Sequence, residues 1–347
     1  SAGAGGGAAG SAGAGGGAGG SAGAGGGAGG SGGSGGTGGG AGTGGTGGAA
    51  GGDCPGWQRI FEEPGTYSAV TAAGKDVFIF GLTGGKRFDG SVWSSVAGSP
   101  TVGMSARAWA FTPNDLWVTG KAMSHFDGTG WTQTTLAAAP GALFALDSSK
   151  LWAHAYTYKD AIFFWNGQGW SSIATPSNCS SLWARSTNEV YCSFTGHAAR
   201  WDGTKWTDGP AGSQGTLAGI SGKLVSFAAF RSGTTIPSFS ATLWDGTSAS
   251  IETETTPLTG STEPLSIVRA TASAGGEVWV ALMLDPPGNL KDAATRFLRR
   301  GADGKWVAVD SCKGVKPRDF WLATDGTRYV VGHDTLDPGK AVVMKKN

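Results

Sequence analysis

From residue 53 onward, short apolar runs rich in β-branched and aromatic residues alternate with polar turns. The recurring turn is Asp or Asn followed by Gly, usually with a Trp opening the next apolar run, as in residues 126–131, Phe-Asp-Gly-Thr-Gly-Trp. In such a turn the Asp or Asn side chain accepts backbone hydrogen bonds, and Gly adopts a positive φ. The pattern predicts structural turns between antiparallel strands at Asp53, Asp89, Asp127, Asn166, Asp202, Asp245 and Asp303.

These turns recur about every 40 residues, which indicates one repeated supersecondary unit. Each unit opens with two apolar strands around a second polar turn. An apolar residue in the first strand is followed eight residues later by one in the second, in the pairs Val70 and Phe78, Trp109 and Trp117, Phe144 and Trp152, Trp183 and Tyr191, Leu217 and Val225, and Trp321 and Tyr329. The unit containing Trp279 requires an insertion to fit this spacing. Counting opening strands gives seven units.

The last unit has a third strand at 341–344 but no Asp-Gly turn after it. The missing turn and fourth strand are found at the other end of the region, where Asp53 is followed by the apolar run 57–61. A split repeat of this kind closes a ring, because a propeller pairs its two termini in one sheet. We therefore predict an all-β fold over residues 53–347, a seven-bladed β-propeller of four-stranded antiparallel blades, closed by an N-terminal strand that completes the last blade.

Residues 1–52 contain only Ser, Ala, Gly and Thr, and they carry no charge. Such a segment cannot bury enough apolar surface to offset its chain entropy, so we expect a flexible linker. No run of the chain is apolar enough for a transmembrane helix. The net charge of +1 gives no reason to expect nucleic acid as a partner.

Candidate catalytic and metal-binding groups do not form a recognisable set in the sequence. The four His, at 125, 154, 197 and 333, come from four different units and have no metal-ligand spacing. The turn Asp residues occur once per unit and cannot converge on one Ca²⁺. Most of the 15 Trp fall on the repeat grid and are interpreted as packing between blades. We therefore expect no catalytic residue, no metal and no cofactor.

The Asp-Gly turn with its following aromatic resembles the repeats of bacterial secreted β-propellers of the Asp-box (BNR) or Kelch-like type. The Gly/Ala/Ser-rich tract resembles the stalk that follows the lipidated cysteine of bacterial surface lipoproteins. The resemblance implies a secreted or cell-envelope protein, periplasmic or anchored in the outer membrane by a lipid upstream of Ser1, and we expect a monomer. Asp-box propellers include sialidases, but the Arg-Ile-Pro signature of that family is missing, since Arg59-Ile60 is followed by Phe61.

Four cysteines, none in a C-x-x-C pair, suit an oxidising compartment. Cys179 and Cys192 flank one predicted hairpin, so we expect a bridge between them. Cys54 and Cys312 are left as partners by elimination. We place them at opposite ends of their blades, beyond the roughly 7 Å limit on Cα separation, unless the loop 310–318 folds down the side.

The third, fifth and sixth units carry insertions between their second and third strands, at 156–160, 230–238 and 284–293. In a four-stranded meander these loops share one face with the blade-to-blade connections, and long loops on a rigid scaffold often bind ligands. Tolerated drift in surface loops is the alternative explanation. The candidate ligand-binding residues are Tyr156, Tyr158, Lys159, Arg231, Asn289, Lys291 and Asp292, since aromatic rings and long cations suit sugar rings or acidic groups.

Two functions fit this pattern. The first is a non-catalytic extracytoplasmic binding module on a flexible stalk, with an unknown glycan or protein as ligand. The alternative is a propeller enzyme acting on a polysaccharide or glycan, of the glycoside hydrolase or lyase type. Against the enzyme, no paired carboxylates appear at identifiable inner-strand positions, and glycoside hydrolysis usually requires two.

Overall fold

The computed structural model describes residues 54–155, 161–220, 222–230, 238–254, 265–273, 276–284 and 294–347. The low-complexity tract 1–52 and the predicted turn at Asp53 lie outside these ranges. Within them the chain forms seven antiparallel sheets of four strands each, so the predicted all-β seven-bladed β-propeller is confirmed.

Blades 1 to 6 each consist of four consecutive strands. Blades 1 and 2 contain β2 (Tyr67–Ala73), β3 (Asp76–Gly81), β4 (Gly84–Phe88) and β5 (Trp93–Val96), then β6 (Ala108–Thr112), β7 (Asp115–Thr119), β8 (Met123–Phe126) and β9 (Trp131–Thr134). Blades 3 and 4 contain β10 (Pro140–Asp147), β11 (Lys150–Ala155), β12 (Ala161–Trp165) and β13 (Trp170–Ala174), then β14 (Ser181–Ser186), β15 (Glu189–Ser193), β16 (His197–Trp201) and β17 (Trp206–Ala211). Blades 5 and 6 contain β18 (Thr216–Ile220), β19 (Lys223–Phe230), β20 (Ser238–Trp244) and β21 (Ala249–Glu254), then β22 (Leu265–Ala272), β23 (Val278–Leu284), β24 (Ala294–Arg300) and β25 (Trp306–Lys313).

Blade 7 joins the two ends of the described chain. It contains β26 (Val315–Leu322), β27 (Arg328–Asp334) and β28 (Lys340–Lys346), with β1 (Gln58–Pro64) as its outer strand. The β1–β28 register runs from Gln58 opposite Lys345 to Pro64 opposite Lys340. The inner strand of every blade contacts the inner strands of both neighbouring blades, and β2 contacts β26. The ring is therefore closed as the split repeat predicted.

In four blades, the two residues separated by eight positions in the opening hairpin lie directly opposite each other. Trp109 lies opposite Trp117, and the same holds for Phe144 with Trp152, Trp183 with Tyr191 and Trp321 with Tyr329. In blades 1 and 5 the observed register is shifted by one residue from the predicted pairs. The insertion expected before Trp279 is wrong, because Trp279 pairs with Thr271 at the same spacing. The partner is polar, so a search for apolar pairs missed it.

The turn between the third and fourth strands has the chemistry that the sequence predicted. Asp127 Oδ1 accepts hydrogen bonds from the N–H groups of Thr129 and Gly130, and Gly128 has a φ of 91°. The hydroxyl of Thr129 also donates to Asp127, and these three bonds lower the pKa of that carboxyl to about 2. Trp131 then pairs with Phe126 across the hairpin, with ring centroids 5.4 Å apart. The side chain at the same position accepts a hydrogen bond from a backbone N–H in the other turns, at Asp89, Asn166, Asp202, Asp245 and Asp303.

The inner strands leave one edge of each sheet unpaired within its own blade, and such N–H groups need partners. Polar side chains of a neighbouring inner strand supply several of them. Thr71 Oγ1 accepts from Ala110 N at 3.0 Å, and Ser181 Oγ accepts from Leu217 N at 2.9 Å. At the closure, Asp319 Oδ2 accepts from Val70 N at 3.1 Å. Ser, Thr and Asp side chains on inner strands therefore join one blade to the next.

The turn Trp residues join blades at the rim. Trp93 Nε1 donates to Ile60 O of blade 7, Trp206 Nε1 donates to Ala174 O of blade 3, and Trp306 Nε1 donates to Glu252 of blade 5, each at 2.6 Å. In each case the acceptor lies on the outer strand of the preceding blade. The interpretation of these Trp residues as packing between blades is therefore confirmed for these three.

Both pairs of cysteines are bonded. Cys179 and Cys192 bridge the first hairpin of blade 4, with Cα atoms 5.6 Å apart, as expected. Cys54 and Cys312 are also bonded, with Cα atoms 4.3 Å apart, so the expectation that they lie too far apart is wrong.

The expected separation of Cys54 and Cys312 did not take the twist of a blade into account. Adjacent strands are rotated by roughly 20–25°, so the outer strand of a four-stranded blade lies at a steep angle to the inner one. The end of β25 therefore approaches the start of β1 on the next blade. Residues 310–318 form no loop, because they belong mostly to β25 and β26. Trp57, beside Cys54, stacks on Phe297 of blade 6, with centroids 4.8 Å apart.

Candidate functional site

Strand alternation gives the propeller two faces. The turns between first and second strands and those between third and fourth strands share one face, which we call the Asp-turn face. The connections between second and third strands and those between blades share the other, which we call the insertion face. The predicted insertions fall on it, since β11 ends at Ala155 before β12 begins at Ala161, and the same holds for β19 with β20 and β23 with β24.

The seven predicted ligand-binding residues, Tyr156, Tyr158, Lys159, Arg231, Asn289, Lys291 and Asp292, all lie outside the described residues. Their role stays a prediction. The candidate site is therefore built from the described parts of the insertion face and from the central channel.

A cavity of about 380 Å³ occupies the channel, lined by the inner strands of blades 2 to 6. Aromatic side chains follow its wall from blade to blade. Trp109 lies 5.6 Å from Phe144 and 5.2 Å from Trp321, and Phe144 lies 6.4 Å from Trp183, all measured between ring centroids. These are the first-strand members of the eight-residue pairs, so the sequence pattern located the aromatic wall without identifying it as a channel.

A buried ion pair joins the inner strands of blades 6 and 7 beside the channel. Asp319 is fully buried, and Arg269 Nη1 lies 3.1 and 3.2 Å from its two carboxylate oxygens. Arg107 Nε lies 3.9 Å from Asp319 Oδ1. Burial lowers the pKa of Arg269 below its ordinary value, and Asp319 opposes that shift. Together with the bond to Val70 N, this carboxylate links blades 6, 7, 1 and 2.

A second pocket, of about 280 Å³, opens on the insertion face between blade 7 and the connections that lead into blades 1 and 2. Its lining consists of Thr66, Met104, Lys316, Arg318, His333, Asp334, Thr335 and Pro338. The lining includes two cations and one carboxylate. That carboxylate, Asp334, accepts hydrogen bonds from Arg59 Nη1 at 2.8 Å and from the backbone N–H of Leu336.

Two nitrogen atoms at this pocket are buried without a hydrogen-bond partner among the described residues, Arg318 Nε and His333 Nδ1. His333 is only 8% exposed. Burial lowers the pKa of His333, and the neighbouring Arg318 and Lys316 lower it further. The lowered pKa favours the neutral imidazole, which has one N–H donor and one acceptor nitrogen. The other buried His, His154, has its pKa lowered to about 4, mainly by burial.

Large apolar side chains surround this pocket and face solvent. Leu336 is 74% exposed, Met104 58% and Leu82 57%. Their loops are held by backbone hydrogen bonds, from Leu82 N to Thr66 O at 3.0 Å and from Val102 N to Gly81 O at 2.9 Å. The contact is so close that a Cβ at Gly81 would overlap the Thr66 carbonyl. The apolar side chains are thus displayed on loops with fixed backbones.

Comparisons with known proteins show similarity in fold. No family model matches the chain, and no curated protein matches it. Among solved structures, YCF48 bound to D1 peptide is 13% identical with a TM-score of 0.51, over 84% of this chain and 97% of that chain. BBS1N in complex with ARL6DN is 10% identical with a TM-score of 0.55, over 84% and 97%. An ancestral GH74 enzyme is 13% identical with a TM-score of 0.52, over 81% of this chain and 46% of that chain. At these identities the matches show the fold alone.

Carboxylates are scarce on the inner strands. Within the described residues these seven strands carry two, Asp147 at the Asp-turn end of β10 and Asp319 in the channel. Asp147 bonds to Lys150 and Ser149, and Asp319 is held by Arg269. Each of the two is held in its own ion pair, whereas glycoside chemistry uses two carboxyl groups that act on one bond. In the same ranges, no group of three or more His, Cys, Asp or Glu is arranged to hold a metal ion.

The pocket residues were not singled out from the sequence. For His333 the sequence showed only the lack of metal-ligand spacing, and nothing in the sequence pointed to Arg318. Thr66, Met104 and Arg318 are far apart in the sequence and meet only because the ring closes. The available signal was the pair of cations Lys316 and Arg318 just before the apolar residues 320–322 of an inner strand. Within the described ranges, no helix has the length and hydropathy needed to cross a bilayer.

Proposed function

We propose that this protein is a non-catalytic binding module that takes a protein or glycan ligand on the insertion face of its propeller. The observation that carries the proposal is the exposure of Leu336, Met104 and Leu82 on loops with hydrogen-bonded backbones. Exposed apolar clusters rimmed by polar groups are typical of interaction surfaces. The predicted insertions at 156–160, 230–238 and 284–293 belong to the same face by topology and would extend it.

The centre of the propeller supports the same proposal. An enzyme that hydrolyses glycosides needs two carboxyl groups free to exchange protons or attack the substrate. The buried channel carboxylate, Asp319, is instead bonded to Arg269 and to Val70 N. Its position suits a structural link between blades rather than acid or base chemistry. YCF48 with its peptide and BBS1N with ARL6DN are examples of the same fold holding a polypeptide partner.

The proposal includes an extracytoplasmic location. Disulfides persist in oxidising compartments, and both cysteine pairs of this chain are bonded. A bacterial lipoprotein anchor, with residues 1–52 as the stalk that gives the propeller reach, is the form of attachment that we propose. A monomer is sufficient for this role.

A binding screen run beside an activity screen tests the proposal. The full chain would be applied to arrays of glycans and of immobilised peptides, and the same preparation would be incubated with a panel of fluorogenic glycosides. We expect saturable array binding and no release of fluorophore above the buffer rate. Turnover of any glycoside by the purified chain would favour the polysaccharide-active alternative.

A further inference from the structure

We propose that the 280 Å³ pocket at blade 7 binds a carboxylate of an acidic peptide segment, whose apolar side chains lie on Met104, Leu82 and Leu336. This inference rests on the proposed binding function and specifies its partner. The pocket is lined by Lys316, Arg318 and His333 and lies on the insertion face.

The donors point to a carboxylate. Arg318 Nε and His333 Nδ1 are buried and have no partner among the described residues. A buried donor without a partner costs free energy. Arg318 Nε is always a donor, and His333 Nδ1 is one in the Nδ1–H tautomer, so an acceptor that reaches these atoms gains up to two bonds. Guanidinium and carboxylate form charge-assisted pairs of matching geometry.

The charge of the pocket agrees with an anionic ligand. Its single lining carboxylate, Asp334, is already bonded to Arg59 and to the N–H groups of Leu336 and Asp337. Lys316 and Arg318 lie close enough to His333 to disfavour its protonation. With Asp334 already bonded to Arg59, the positive charge of Arg318 favours an anion over a cation at this pocket.

The surroundings favour a peptide over a sugar as the carrier of the carboxylate. Apart from the His333 imidazole, the lining residues carry no aromatic ring on which a sugar could stack. Exposed Met104, Leu82 and Leu336 instead offer flexible aliphatic surface, and Met adapts readily to different apolar partners. The loops that carry these residues are already fixed, so little ordering entropy is lost on binding.

The test uses the full chain and two fluorescent peptides, N-acetylated and C-amidated. One alternates Glu and Leu, and the other has Gln in place of each Glu. We expect the Glu peptide to bind with a Kd below about 1 mM and the Gln peptide at least about tenfold more weakly, since hydrogen bonds to charged groups contribute about 1.5–3 kcal/mol. Oligoglucuronate, which has carboxylates without apolar side chains, serves as a competitor and should displace the Glu peptide weakly.

Three variants locate the binding. Arg318→Gln should weaken the Glu peptide at least about tenfold, by the same conversion. Met104→Glu adds a negative charge at an exposed position that folding does not require, and it should weaken the peptide as well. Lys205→Gln removes an exposed cation from the Asp-turn face and should leave the affinity unchanged. Thermal melts show that each variant is folded.

Equal binding of the Glu and Gln peptides, or Glu-peptide binding that neither Arg318→Gln nor Met104→Glu weakens, would overturn the proposal. Tight Arg318-dependent binding of oligoglucuronate without peptide binding would overturn the choice of a peptide. If neither probe binds while the arrays still yield a ligand, the pocket inference fails and the proposed binding function stands. An absence of any array ligand would instead count against the proposed function.

Discussion

Removing residues 54–64 should leave the propeller largely unfolded at room temperature. The deletion takes away β1, the outer strand of blade 7, and exposes the edge of β28. It also removes the Cys54–Cys312 disulfide and the Trp57 ring that stacks on Phe297. Loss of a buried Trp costs about 3–5 kcal/mol, and loss of a native disulfide about 2–5 kcal/mol. Their sum is comparable to the whole stability of an ordinary domain, about 5–15 kcal/mol.

Two further variants separate these contributions. Deletion of residues 1–50 should keep the melting temperature of the full chain, because that tract has no apolar side chain larger than Ala to bury. The double variant Cys54→Ser, Cys312→Ser should fall between the two deletions, and reductant should lower the wild type toward it. Thermal melts followed by circular dichroism measure all four. Similar small shifts for both deletions would contradict closure of the ring through β1.

Replacing Asp319 by Leu should destabilise the protein by about 3–5 kcal/mol, measured by chemical denaturation. The carboxylate is fully buried, and its removal leaves Arg269, whose side chain is only 13% exposed, without its counterion. Val70 N loses its acceptor at the same time. A buried charge without a partner is costly, whereas replacing both charges by apolar groups often costs little.

A double variant that removes both charges of the pair provides the control. The double variant Asp319→Leu, Arg269→Met should recover part of the lost stability, because it also removes the unpaired Arg269 guanidinium. The more distant Arg107 remains near position 319. Lys150→Ala, which breaks a pair whose side chains are 43% and 46% exposed, should cost at most about 1 kcal/mol. If Asp319→Leu cost no more than Lys150→Ala, the channel ion pair would not be the link between blades that we describe.

The sequence predicted the features of the fold that are local. The Asp-Gly turns follow from side-chain and glycine chemistry within four residues, as at Asp127 and Gly128. The eight-residue spacing follows from the length of one hairpin, as in Trp109 opposite Trp117. Repetition then made the number of blades and the split last blade readable.

Features that depend on the relation between blades were not predicted. The Cys54–Cys312 bond needs the twist of a blade, and the Arg269–Asp319 pair joins residues 50 positions apart on neighbouring blades. The pocket at Arg318 and His333 needs both the closed ring and the paths of two connections. The lengths of the loops in the sequence indicated the insertion face. The candidate residues were all placed in the inserted loops, because the length of a loop gives no information about residues outside it.

A comparison of two multiple variants tests the central claim that the insertion face binds the ligand. Using whichever ligand the arrays yield, affinity would be measured for Tyr156→Ala, Tyr158→Ala, Arg231→Ala together with Arg318→Gln, and for the Asp-turn variant Thr129→Ala, Gln168→Ala, Thr204→Ala. We predict that the first variant loses affinity at least about tenfold, while the second keeps the wild-type value. Loss of affinity in the Asp-turn variant alone would contradict the account.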